Sequence, residues 1–481
     1  MAAMEIDSTT CEHGLMGRLF HWAKALSGKI RTNMEVLIER IMKLARDDPR
    51  RVVHSFKVAL ALTFVSLIYY VRPLYDGFGV AGIWAVLTVV VIFEFTVGGT
   101  LYKGLNRGIA TFSAGGLGLG AIYIASHLGE AEPVFLGFMV FLLAAVSTFI
   151  RFFPHIKRRY DYGVLIFILT FSMVAVSGSR VEKIIELANQ RLVTIIIGGA
   201  ACMVVSIFLC PVWAGEDLHK LVALNMEKLA NFLEGFGGEY FKLDEEESSG
   251  EAGVCSKDKL LFLNGYKSVL NSKASEESLA NLAWWEPGHG RFRFSHPWKQ
   301  YLETGGLIRQ CACHIEALSG HLNTDIEVQS EFHKRIAEPC MKVCSESGKA
   351  LKELASSLRA MKRPSSFSAH IQNCKAAIAD LRAALEASSP DSANLVEMIP
   401  SIAVGSLLCD ISKCVEKISE SIHELSDKAN FESAKSTQSS HIIHRGSVKP
   451  LTGDTRHGND DNYVHVVVIN VNSTSSGASL P

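Results

Sequence analysis

The sequence predicts an all-α protein: a six-helix transmembrane domain followed by a helical cytosolic domain. Two patterns predict it. Six apolar runs follow one another, at about 52–71, 80–98, 105–126, 134–153, 162–178 and 190–212. Each is close to the roughly 20 residues that a helix needs to cross a bilayer core. Beyond them, Leu218, Leu221, Leu224, Met226 and Leu229 begin a 3.6-residue period that marks amphipathic helices. A mean hydropathy of +0.19, high for a soluble chain and low for one buried wholly in lipid, fits that division.

The boundaries follow the pattern. Residues 1–51 form a charged N-terminal arm, 52–213 the transmembrane domain, 214–430 the helical domain and 431–481 a mostly disordered tail. The first apolar run is too long for a signal peptide and is expected to stay as a spanning helix. Short connections at Arg72–Gly79, Gly99–Gly104, His127–Pro133, Pro154–Asp161 and Ser179–Asn189 imply three antiparallel hairpins. In the third run, Gly116 and Gly120 are spaced to let another helix approach closely. The Gly-rich stretch 235–238 reads as a helix break, and 245–257 as a surface loop. Further helices are expected near 300–325, 328–360, 368–388 and 392–428. In the tail, Tyr463–Val471 has strand-like composition.

Charge sets the orientation. The arm carries Arg18, Lys24, Lys29, Arg31, Arg40, Lys43, Arg46, Arg50 and Arg51, and the second and fourth connections add a further basic cluster. The positive-inside bias therefore places both termini in the cytosol. Cysteines are scattered without the spacing of a disulfide framework, which suits a reducing compartment.

The candidate site is a set of cations against apolar runs. Lys57, Arg107, Arg151 and Arg191 each adjoin a run, and Lys103 lies one turn before Arg107 on the same face. A cation in mid-membrane costs roughly 3 kcal/mol on the lenient insertion scale, so such residues usually face a water-filled path or a partner. A path lined this way attracts anions. Snorkelling to the interface is the alternative for Lys57 and Arg107, and lipid anchoring accounts for Lys157, Arg158 and Arg159.

Acids form a second set. Glu182 and Glu186 share one helix face, and Asp76 in the first outer connection can converge on them. Three carboxylates suit a hard cation, although a solvated outer face accounts for the same spacing. Glu94 is the one deep acid that a proton-coupled carrier would use. Enzyme signals are weak: Cys311-Ala-Cys-His314 and Cys340-Met-Lys-Val-Cys344 lack a second pair at zinc spacing. No phosphate-cradling Gly-rich loop, HExxH or GxSxG is present. No cofactor is expected, and the basic residues track the membrane rather than nucleic acid.

Several segments carry a resemblance. They are Asp48-Pro-Arg-Arg51, Trp84–Phe95, Gly104-Leu-Asn-Arg-Gly108, Arg151-Phe-Phe-Pro154, Tyr160-Asp-Tyr-Gly163, Cys210–Leu218 and Trp285-Glu-Pro287. Together they resemble the plant aluminium-activated malate transporter family across most of 45–430. The resemblance implies a homodimeric anion channel, six spans per subunit, passing malate and other small anions. It places the basic pore positions on Lys57, Lys103, Arg107 and Arg191, with Arg151 added. It maps an outer aluminium site onto Asp76, Glu182 and Glu186. It further implies a γ-aminobutyrate-responsive stretch at Phe208–Leu218 and a structural role for Trp285-Glu-Pro287. The plasma membrane is the expected location, with the vacuolar membrane as the alternative.

Overall fold

The computed structural model describes residues 9–70, 82–178, 184–241, 264–323, 331–364, 369–386 and 395–432. Among these no strand occurs; the secondary structure is helical throughout. The N-terminal arm is itself a helix, α1 (Thr9–Asp47), separated by Asp48 alone from Pro49, which opens α2 (Pro49–Tyr70). Proline suits that first position because its missing N–H would have no helical acceptor there.

The six apolar runs all carry helices. After α2 come α3 (Ile83–Ile92), α4 (Val97–Ala125), α5 (Glu132–Ile150), the short α6 (Pro154–Arg159), α7 (Asp161–Gly178) and α8 (Ile184–Phe208). Val97–Ala125, Gly129–Ile150 and Arg191–Phe208 are long and apolar enough to cross a membrane, whereas Ile83–Ile92 and Asp161–Ser177 are apolar but shorter. Met398–Lys428 also passes that test of length and composition, but half of its apolar stretch is buried inside the fold.

Two small cores divide this half of the chain. Ala61 and Val65 of α2, Ala85 and Val89 of α3, and Cys202 and Val205 of α8 form one. Ala114 and Ala121 of α4, Leu136 of α5, and Phe171 and Ala175 of α7 form the other. Outside them, Ile109, Phe112, Val134 and Phe141 are largely exposed. A surface this apolar does not belong in water.

Three local expectations are corrected. The second connection is not at Gly99–Gly104, which lies inside α4; the chain turns earlier, at Phe93–Thr96. The Thr96 side chain accepts the Gly99 N–H, and the Thr100 hydroxyl accepts the Glu94 N–H, so side chains satisfy the broken backbone. Close approach occurs not at Gly116 and Gly120, which face open space, but at Gly118, where a Cβ would press on Val174 of α7. The Gly-rich stretch 235–238 does not break its helix, because Phe236 is wholly buried and Gly237 packs against Cys344 and Met341. Residues 245–257 and Tyr463–Val471 lie outside the described residues.

The second half holds α9 (Ala214–Tyr240), α10 (Lys267–Leu270), α11 (Lys273–Ala283), α12 (Trp298–Gly320), α13 (Glu331–Ala360), α14 (Ala369–Glu386) and α15 (Leu395–Lys428). One continuous core joins them, from Leu218 and Phe232 through Ile308 and Leu351 to Ile411 and Ile422. Glu286 ties the halves together. Its buried carboxylate accepts the backbone N–H groups of Gly98 (3.2 Å), Ala214 (2.6 Å) and Gly215 (3.0 Å). Those groups sit at the N-termini of α4 and α9, where the helix dipoles favour a negative charge. Trp285-Glu-Pro287 is thus the junction between the two halves.

Candidate functional site

Three of the five expected cations have partners of their own. The Lys57 ammonium, only 2% exposed, donates to the Cys210 carbonyl at 2.9 Å. Cys210 follows the end of α8 with a left-handed φ of 39°, so Lys57 closes that helix C-terminus, where a cation is favoured. Lys103 pairs with Glu94 across the Phe93–Thr96 break. The Arg151 guanidinium grips Asp161 with two hydrogen bonds, Nε to Oδ1 at 2.7 Å and Nη2 to Oδ2 at 3.1 Å. Such a two-pronged grip is the strong form of this contact.

Arg107 and Arg191 differ. Both line one cavity of about 340 Å³, walled by α3, α4, α7 and α8 and so lying between the two small cores. Arg107 is buried; its Nη1 reaches the Tyr162 hydroxyl at 3.4 Å, and its Nε has no partner among the described residues. The Arg191 guanidinium sits 4.6 Å from the Trp84 ring centroid, and its buried Nε likewise lacks a partner. A ring face offsets about 1 kcal/mol of the cost of burying a guanidinium. Of the Arg191 N–H groups, one on Nη1 reaches the Met173 sulfur at 4.0 Å and the one on Nε is left for an acceptor. Neither arginine is paired with a carboxylate among the described residues.

A third unsatisfied group completes the set. The buried Thr111 hydroxyl, one turn beyond Arg107 on α4, faces the same cavity and has no partner. Two cationic donors and a hydroxyl in an apolar pocket favour an oxyanion, whose oxygens accept such hydrogen bonds and whose charge offsets the buried cations. Sequence reasoning missed Thr111, Trp84 and Tyr162. The i, i+4 spacing from Arg107 was the available signal for Thr111; the other two come from different helices.

Of the outer acids, Asp76 and Glu182 lie outside the described residues, as does the Glu186 side chain. Among the described residues no cluster of three or more His, Cys, Asp or Glu could hold a metal. Cys311, Cys340 and Cys344 are buried in the helical core.

Residues 42–394 match the sequence profile described as aluminium activated malate transporter. The chain belongs to that family. It is 50% identical over 428 residues to aluminum-activated malate transporter 2 of Arabidopsis thaliana, covering 89% of this chain and 83% of that relative. Aluminum-activated malate transporter 1 of the same plant is 48% identical, covering 82% and 80%. Its namesake in Triticum aestivum is 43% identical, covering 85% and 89%. The matched span of the family runs from the last residues of α1 through both halves of the fold.

Proposed function

We propose that this protein is a malate-permeable anion channel. Membership in a transporter family, together with several long apolar helices, makes it a multi-pass membrane protein. The proposal adds six spans (α2, α3, α4, α5, α7 and α8), a cytosolic domain formed by α9–α15, cytosolic termini and a homodimer. Malate is taken from the names of the relatives. The observation that carries the reading is the cavity of Arg107, Arg191 and Thr111, whose three unsatisfied polar groups suit a passing carboxylate.

Passive conduction is favoured over proton-coupled carriage. The carrier would need Glu94 to bind and release protons, and Lys103 is already paired with it. Lys57, Lys103 and Arg151 act in this reading as structural cations that hold helix ends and turns. Activation by external aluminium through Asp76, Glu182 and Glu186 belongs to the same proposal, and it is carried over from the family resemblance.

Purified protein in liposomes tests the channel. An imposed malate gradient is expected to drive a current that persists when the proton gradient is collapsed. A flux that vanishes with the proton gradient would replace the channel with a carrier. Recording with and without external aluminium, on the wild type and on Glu182→Gln, tests the metal response.

A further inference from the structure

From Lys29 to Asp47, α1 carries an unpartnered apolar face. Ile30, Met34, Leu37, Ile38, Ile41 and Leu44 are each about half exposed, and their spacing puts them along one side of the helix. The main contact of α1 is with α2, and that contact does not cover this face.

The charges around the face say what covers it. At 100° per residue, Lys29, Arg31, Arg40 and Asp47 fall along its two borders, with Arg31 ion-paired to Glu35 at 3.0 Å, while Glu39, Lys43 and Arg46 fall toward the back; the stretch carries five cations against three acids. An apolar face with cations on both borders and a basic excess along its helix suits a surface whose apolar interior is rimmed by negative headgroups. The tether adds to the case: Asp48 alone separates α1 from α2, the first membrane helix of the proposed channel.

We infer that α1 docks its Ile30–Leu44 face on the anionic leaflet beside the transmembrane domain. The inference rests on the membrane reading of α2 and needs neither the anion cavity nor malate conduction.

The test is amide hydrogen exchange on the full-length protein in lipid nanodiscs, comparing purely zwitterionic discs with discs containing phosphatidylserine. Amides of 28–47 are expected to exchange about tenfold more slowly in the anionic discs, since border cations contribute substantially at such a surface. The double variant Arg31→Glu/Arg40→Glu is expected to erase the difference between lipids. Leu37→Glu/Ile41→Glu is expected to exchange fast in both. Unchanged protection across α9 in every variant shows that the fold is intact. Equal exchange of the wild type in the two lipids overturns the inference, as does a lipid difference that survives the arginine reversals. Protection that needs two copies per disc rather than anionic lipid also overturns it, and assigns the face to a second chain.

Discussion

The two halves of the molecule differ in whether every buried charge is completed. In the helical half, Glu276 is 1% exposed and fully engaged, accepting from Ser272 and Asn225 and pairing with Arg309. Glu286 takes three backbone N–H groups. Among the described residues, the buried charged side-chain atoms left without a partner all belong to the first half: Nε of Arg107, Arg159 and Arg191. Arg159 stacks on Trp284 near the junction, 4.2 Å from the ring centroid. The other two share the cavity. A charge buried for stability arrives with its counter-group, whereas one kept for a passing anion must be left incomplete.

That contrast can be broken most forcefully at the cavity. Arg191→Glu is expected to cut malate current by about 100-fold or to turn selectivity toward cations, because a buried acid replaces a cationic donor worth about 1.5–3 kcal/mol to a charged ligand. Single-channel or liposome flux recording measures it. Wild-type-like malate current would remove Arg191 from the pathway.

The second test strikes the engaged charges. Glu286→Gln leaves an amide where three N–H donors converge and is expected to cost about 3 kcal/mol of stability, read by thermal unfolding. It also changes the pH dependence. Burial raises the Glu286 carboxyl from 4.5 to about 7, against the opposing pull of its three N–H donors. The folded chain then holds a proton between those values that the unfolded chain has released. The contribution of Glu286 is therefore full below about pH 4.5 and is lost as pH rises through 7. Subtracting the stability profile of the Gln variant from that of the wild type should isolate this falling segment. A flat difference would contradict it.

The smallest effects sharpen the packing side. Gly118→Ala puts a Cβ against Val174 and is expected to destabilise the α4–α7 contact by about 1–3 kcal/mol. Gly116→Ala meets nothing within 4 Å and should leave stability within about 0.5 kcal/mol. Since Gly116 lines the cavity, its variant is expected to lower conductance instead. Thermal unfolding and conductance measured on both variants separate the two roles.

The helices were readable from the sequence because run length and period report burial directly. The places where reading failed depend on neighbours from elsewhere in the chain. The apolar stretch Val89–Phe95 hides the break at Phe93, which exists because Thr96 and Thr100 satisfy the backbone there. Which glycine of α4 meets a neighbour depends on how α7 lies, and no local spacing specifies that. Among the cations, the sequence shows five in apolar surroundings but not their partners: a carbonyl 153 residues from Lys57, and an acid ten residues from Arg151 across the α5–α7 connection. Only the assembled fold separates the engaged cations from the pair left open.

The central claim is that Arg107 and Arg191 carry the anion while Arg151 holds a turn. The direct measurement is the reversal potential of purified protein in a planar bilayer under a malate-against-chloride gradient, for the wild type, Arg107→Gln and Arg151→Gln. Arg107→Gln is expected to shift the reversal potential away from that of the wild type and to weaken malate binding by at least about tenfold. Arg151→Gln should leave the reversal potential in place. A shift produced by Arg151→Gln but not by Arg107→Gln would contradict the account.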